Sequence, residues 1–165
     1  LATFKGTTRR AQLMGKYQGI PIFDDYAHHP TEIKATLETF AAAYKGKRLV
    51  AVFHPHTFSR TKALFKDFAR SFADAKELIV LDIYGSAREE QGGVSSEDLV
   101  EAIRSVNKAA DRHQKIVYQS DLEAVEKYLR ANLKPNDLVL LLGAGDVFRV
   151  GQNLVKKPRA ATKKK

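Results

Sequence analysis

The chain reads as an α/β protein, with a Rossmann-like, mostly parallel sheet of about six strands, helices on both faces and an N-terminal antiparallel hairpin. Three observations predict this. From residue 30 onward, short apolar runs alternate with segments of helical period. The two runs before residue 26 are joined by too few residues for a crossover, so they must pair antiparallel. Polar, titratable residues collect just after the apolar runs, at the strand ends where such sheets bind ligands.

The elements follow in order. Thr7 to Lys16 and Ile20 to Asp25 read as the two hairpin strands, joined at Tyr17-Gln18-Gly19. Pro30 suits a first helical turn, where its missing N–H costs nothing. Ile33, Leu37, Phe40, Ala41 and Tyr44 keep helical spacing, so a helix is expected to run to about Lys45 and stop at Gly46. Arg48 to Phe53 is a buried strand. A helix is expected from about Thr61 to Ala73, with Leu64, Phe65, Phe68 and Phe72 on one face. Glu77 to Ile83 is the next strand, and Gly85 to Val94 a polar loop with a Gly92-Gly93 pair. Ser95 to Asp98 starts a helix that turns Leu99, Ile103 and Val106 inward. Lys115 to Tyr118 is a strand. Ser120 with Glu123 reads as a capping box opening a helix with Leu122, Val125 and Leu129. Asp137 to Leu142 is the most apolar strand. Gly143-Ala144-Gly145-Asp146 then turns into a last helix near Val147 to Val155.

Composition narrows the function classes. A chain of 165 residues suits one domain, read here as residues 1–155. No apolar run is long enough to cross a bilayer, and the N-terminus lacks a signal-peptide pattern. The chain has no cysteine, which excludes disulfides, thiolate metal sites and a cysteine nucleophile and fits a cytoplasmic protein. Of the formal charge of +9, all but +3 comes from the six cations of residues 156–165. That stretch reads as a solvated, disordered basic end, and no nucleic-acid or membrane partner is expected.

Chemistry concentrates in the loops after strands. Asp24-Asp25-Tyr26-Ala27-His28-His29-Pro30-Thr31-Glu32 gathers acids, a phenol and two imidazoles at a strand end. The adjacent histidines lack the spacing of paired metal ligands, and a ligand pocket is the better reading. His54-Pro55-His56-Thr57-Phe58-Ser59-Arg60-Thr61-Lys62 offers imidazoles, hydroxyls and cations at a helix start, an arrangement that suits either an anion or an ordinary capped helix. Gly143-Ala144-Gly145-Asp146 lacks the third glycine of a dinucleotide loop and reads as a tight turn or a weak nucleotide signal. There is no Gly-x-x-x-x-Gly-Lys-Ser/Thr phosphate loop, no Gly-x-Ser-x-Gly elbow and no zinc-protease motif.

The Asp24–Ile33 run resembles a signature of the Mur ligase family, in its branch that adds the first amino acid of the peptidoglycan precursor. Arg9-Arg10, Phe53 to Thr61, Ile83-Tyr84 to Glu89, Gly93 to Ser96, and Gly143 to Asp146 match that branch in the same order. The resemblance covers nearly the whole chain, and only the third of the family's three domains. It implies an isolated, Rossmann-like C-terminal domain, inactive alone, that closes over ATP bound on a central domain carrying the phosphate loop. The implied reaction uses ATP, with Mg2+ held mainly by the central domain, to join L-alanine to UDP-N-acetylmuramate through an acyl phosphate.

Carried over by position, the resemblance implies that Arg10 lies near the nucleotide phosphates and Asp25 near the ATP ribose. It implies that Tyr26 and His28 line the nucleotide and amino-acid side of the cleft, with His28 as the catalytic residue. Arg60, with His56 beside it, would bind the L-alanine carboxylate. The sequence departs from many members at Ala11, usually aromatic, and at His54, often Gln; at Thr57 some members carry arginine. Three other readings stand beside this one. They are a related ligase that attaches a recycled tripeptide to the same sugar, a nucleotide-binding module without ligase activity, and a basic nucleic-acid-binding domain.

Overall fold

The computed structural model describes residues 9–86 and 92–156. Its centre is one six-stranded sheet of β1 (Gln12–Tyr17), β2 (Ile20–Asp25), β3 (Arg48–Phe53), β4 (Glu77–Leu81), β5 (Lys115–Gln119) and β6 (Asp137–Leu142). The spatial order is β1-β2-β6-β3-β4-β5. Only β1 and β2 pair antiparallel; the other pairings are parallel. The mixed α/β fold is therefore the expected one. The helices are α1 (Pro30–Ala43), α2 (Phe58–Ala63), α3 (Phe65–Phe68), α4 (Ser96–Ala109), α5 (Leu122–Asn132) and α6 (Phe148–Val155).

Strand alternation sorts the core into two layers. Leu49, Ala51 and Phe53 of β3, with Leu138, Leu140 and Leu142 of β6, face the cluster holding α1, α3 and α4. Val50, Val52, Val139 and Leu141 point the other way, into the cluster holding α5 and α6. Both faces of these central strands are covered, which is why they read as unbroken apolar runs.

The N-terminal ends of the strands are tied by charge. The Arg48 guanidinium donates from Nε and Nη2 to Asp137 at 2.7 and 2.6 Å, and from Nη1 to Glu77 at 2.6 Å. Both carboxylates are almost fully buried, and Lys115 adds an ion pair to Glu77 at 3.3 Å. Asp137 and Glu77 raise Arg48 above its ordinary value, so this fork stays charged.

The structure corrects several expected boundaries. The first strand begins at Gln12, because Arg9 and Ala11 have φ of 60° and 44°, a backbone no strand can use. Thr7 and Thr8 lie outside the described residues. The expected helix from Thr61 to Ala73 is two short pieces that meet at Leu64. Its inward face is the expected one, since Phe68 and Phe72 flank Phe53 at 5.4 and 5.1 Å. The hydrogen-bond ladder nevertheless breaks at Leu64 (φ −108°, ψ 18°), and the Ser71 hydroxyl takes the Asp67 carbonyl. β4 stops at Leu81, two residues early. The cap of α5 is Asp121, whose Oδ1 accepts from the Ala124 amide at 2.8 Å; Ser120 only supports that carboxylate. Half of the Gly85–Val94 loop, 87–91, and the basic residues 157–165 lie outside the described residues.

Candidate functional site

The register aligns the strand ends that carry the polar loops. Asp25 of β2 and Phe53 of β3 both pair with Leu142 of β6, and Phe53 pairs with Val80 of β4. Loops 26–29, 143–147, 54–57 and 82–86 therefore leave the sheet side by side. Strands lie about 4.8 Å apart, so the first and third of these loops stand about 10 Å apart with the glycine turn between them. The helices after β2 and β3 pack on one face, whereas α6 after β6 packs on the other. That reversal opens a crevice at the end of β6, the place where sheets of this kind bind ligands.

One wall is built by β2 and the chain before β1. Asp25 is buried; its Oδ2 accepts from the Ala11 amide at 2.7 Å and its Oδ1 from the Ala27 amide at 2.8 Å. Two of its four lone-pair sites are thus taken by the corner it builds. Arg9 has a part that sequence reasoning missed. Its Nε donates to Asp24 at 2.8 Å, and its Nη1 and Nη2 donate to the Ala144 and Gly143 carbonyls at 3.2 and 2.8 Å. Its guanidinium also lies over the rings of Tyr26 and Phe148, at 5.1 and 4.9 Å. Burial raises the Asp24 carboxyl above its usual value, and Arg9 offsets part of that cost. Arg10 is exposed, close enough to Glu32 to act on its carboxyl.

Tyr26 is exposed and meets the His28 ring edge-on at 5.2 Å. His28 Nδ1 donates to the Tyr26 carbonyl at 2.9 Å, which leaves the lone pair of the neutral ring on Nε2. His29 caps α1, where its Nδ1 accepts from the Thr31 amide at 3.3 Å, while Glu32 Oε2 accepts from the His28 and His29 amides. Burial pushes the Glu32 carboxyl up, but those two amides, His28 and Arg10 hold it below its ordinary value. The pattern His29-x-x-Glu32 is a capping box with imidazole in place of hydroxyl, so the usual Ser/Thr signal could not reveal it.

The opposite wall is the 54–60 loop. His54 is buried, and its Nδ1 stands 3.6 Å from Asp146 Oδ1 with no hydrogen-bond partner among the described residues. Burial lowers the His54 pKa, and nearby His56 lowers it further; Asp146 and Asp82 only partly offset this, so the ring is neutral at pH 7. His56 stacks on Tyr84 at 5.5 Å. Thr57 has φ of 69°, a strained backbone for a β-branched residue. Its hydroxyl accepts from the Arg60 amide, its carbonyl accepts from the Thr61 hydroxyl at 2.8 Å, and its amide donates to the Tyr84 carbonyl at 3.0 Å. Arg60 is half-buried and its Nη1 donates to the His56 carbonyl at 3.2 Å.

The floor is the glycine turn, and packing explains its composition. A Cβ on Gly143, whose φ is 147°, would meet the His54 carbonyl oxygen at 2.8 Å, whereas one on Gly145 would make ordinary contact with His54 and Tyr84 at 3.5 Å. The turn binds the 54 loop closely, as a tight strand-to-helix connection does. Among the described residues no group of three or more His, Asp or Glu could hold a metal ion.

Comparison with known proteins fits this geometry. The family described as Mur ligase, glutamate ligase domain, matches residues 9–145. The chain is 45% identical over 154 residues to UDP-N-acetylmuramate–L-alanine ligase of Caldanaerobacter subterraneus, covering 93% of this chain and 32% of that protein. It thus spans about a third of the length of the curated relatives it matches. Among solved structures, a murein peptide ligase from Psychrobacter arcticus superposes with a TM-score of 0.74 at 25% identity, over 94% of this chain and 31% of that one. A UDP-N-acetylmuramate–alanine ligase from Thermotoga maritima superposes with a TM-score of 0.72 at 24% identity, over 92% and 30%. On these grounds the chain belongs to the Mur ligase family and is its C-terminal domain.

Proposed function

We propose that this domain is the closing third of an ATP-dependent ligase that joins L-alanine to UDP-N-acetylmuramate for peptidoglycan synthesis. The observation that carries the reading is the shared register of three polar loops at the reversal point of the sheet. The surface they form has an exposed arginine, an imidazole with a free Nε2 lone pair, and a half-buried guanidinium. Among the described residues it holds no phosphate cradle, and the sequence carries no phosphate-loop motif. A complete site therefore needs ATP and its Mg2+ presented by a central domain, across a cleft that this domain closes.

In that closed state Arg10 would meet the nucleotide phosphates. Asp25 would keep Arg10 and Tyr26 in place and use its remaining lone pairs toward the ribose. Once ATP has phosphorylated the sugar's lactoyl carboxylate, the neutral amine of L-alanine attacks the acyl phosphate and phosphate leaves. Holding the two reactants in line supplies much of the rate. Arg60, with His56 beside it, would hold the alanine carboxylate, and His28 Nε2 would accept the proton that the amine sheds as the C–N bond forms. ATP and a nucleotide-linked sugar are cytoplasmic substrates, and no described helix is long and apolar enough to cross a membrane.

Alanine is favoured over a recycled tripeptide by the curated relatives, which at 41–45% identity carry the alanine-ligase name. The test uses the full-length protein. Arg60→Ala should raise KM for L-alanine at least tenfold more than KM for ATP, about the value of one charge-assisted contact. Equal effects on the two substrates would remove Arg60 from the carboxylate site. The isolated domain should release no phosphate from ATP with or without L-alanine.

A further inference from the structure

The pole opposite the cleft is strongly basic, although its cations are scattered along the sequence. Every connection that enters the sheet there carries one. Lys16 lies beside the β1–β2 turn, Lys45 and Lys47 precede β3, and Lys76 precedes β4. Arg112 precedes β5 and Lys134 precedes β6. All six are exposed, and none has an ion pair among the described residues. The acids at this pole do not balance them. Glu77 and Asp137 are buried and already held by Arg48, leaving Asp74 and Asp111 near the surface.

These loops form one contiguous face. The Asn136 side chain donates to the Gly46 carbonyl at 2.7 Å, the Arg48 amide to the Asn136 carbonyl at 3.1 Å, and the Lys115 amide to the Lys76 carbonyl at 3.2 Å. Lys45, Lys47 and Lys76 line one cavity of about 230 Å³, whose apolar floor includes Phe40, Leu49 and Leu138. The last helix ends at the same pole. Leu154, Val155 and the exposed Lys156 share a groove with Lys16, Tyr17 and Gln18.

We propose that this pole docks on an anionic membrane surface, with the ligand cleft facing away from the bilayer. The face ends a parallel sheet, and five of its six cations are lysines, compact charges that need no partner geometry. Neighbouring cations within a Debye length of about 8 Å act on a charged plane together. Nucleic acid is the weaker match. Sequence-tolerant binding of single strands uses free aromatic platforms, but the pole's exposed ring, Tyr44, is already stacked on Phe40 at 5.7 Å. The docking is independent of the ligase reading, because it uses none of the cleft residues.

The test is co-sedimentation of this chain with vesicles of equal parts phosphatidylglycerol and phosphatidylcholine, against vesicles of phosphatidylcholine alone. Binding is expected only to the anionic vesicles, and it should be lost in about 0.5 M salt, where screening shortens to a few ångströms. The triple variant K45E/K47E/K76E should bind at least a hundredfold more weakly, at about fivefold per cation. The pair K16E/K134E, on other loops, should weaken binding about twenty-fivefold by the same rule and covers the case in which the triple variant fails to fold. Three results would each overturn the proposal: no preference for anionic vesicles, full binding by the folded pole variants with loss only on removing residues 157–165, or tighter binding to duplex DNA or RNA than to the anionic vesicles under the same salt.

Discussion

Arg48→Ala is the sharpest test of how the sheet is held together. The substitution removes three charge-assisted hydrogen bonds of 2.6 to 2.7 Å to two carboxylates that are only 1 and 2% exposed. Removing one member of a buried ion pair costs about 3–5 kcal/mol, because the other charge stays buried without its partner. Two features place this case near the lower end. The Arg48 side chain is 28% exposed, so water already solvates part of the network. Both carboxylates also keep a donor, Asp137 the Lys134 amide at 2.7 Å and Glu77 the Lys115 ammonium at 3.3 Å. The expected loss is about 3 kcal/mol, or a Tm lower by roughly 6–12 °C for a domain of this size. Arg48→Lys keeps a charge but cannot fork between two acids, so about half of the loss should remain. Urea unfolding of wild type, Arg48→Ala, Asp137→Asn and the double variant would measure it, with a coupling of about 2 kcal/mol expected between the two sites. A loss below about 1 kcal/mol for Arg48→Ala, or strict additivity in the cycle, would refute the claim that this fork stitches β3, β4 and β6.

Gly143→Ala should cost about 2–4 kcal/mol, since it combines a left-handed φ with a backbone clash at His54, whereas Gly46→Ala, with φ of 85° and open space around it, should cost about 1 kcal/mol. Chemical denaturation of the pair decides this, and equal losses would discard the clash. Burial lowers the His54 pKa, so its contribution to stability is fully present above the unfolded value near 6.5 and is lost as pH falls through the folded value. His54→Gln should therefore flatten the stability–pH curve on the acid side of about 6.5, and an unchanged slope would show that another group causes it. Arg9→Ala leaves the buried Asp24 carboxylate unpaired and frees two carbonyls of the glycine turn. It should speed amide hydrogen exchange in residues 143–147 and at Tyr26 while leaving β4 and β5 protected, and unchanged exchange in that turn would remove Arg9 from its support.

Where sequence reasoning fell short, long-range packing had decided the outcome. Local signals placed Pro30 at the start of α1 and Gly46 beyond its end, because a cap and a stop depend on neighbours in sequence. The period of Phe68 and Phe72, which both meet Phe53 of β3, was also legible, but the break at Leu64 was not. In the same way the arginine pair was visible, and only the fold separates its roles. Arg9 is consumed by Asp24, Gly143 and Ala144, while Arg10 stays exposed. His54 and Asp146 lie 92 positions apart in the numbering and meet because β3 pairs with β6.

By itself the sequence determined the alternation of strands and helices, the hairpin, and the loops that carry polar chemistry. These follow from periodicity and from turn and cap residues, which act over a few positions. It also determined that no Gly-x-x-x-x-Gly-Lys-Ser/Thr motif lies within these 165 residues. Only the tertiary structure decided which loops stand together. The order β1-β2-β6-β3-β4-β5 brings the last strand between the second and third, places the glycine turn between His28 and Arg60, and collects the scattered lysines at the opposite pole. Strand order is settled by which apolar faces bury each other across the whole chain, and no local pattern encodes that choice.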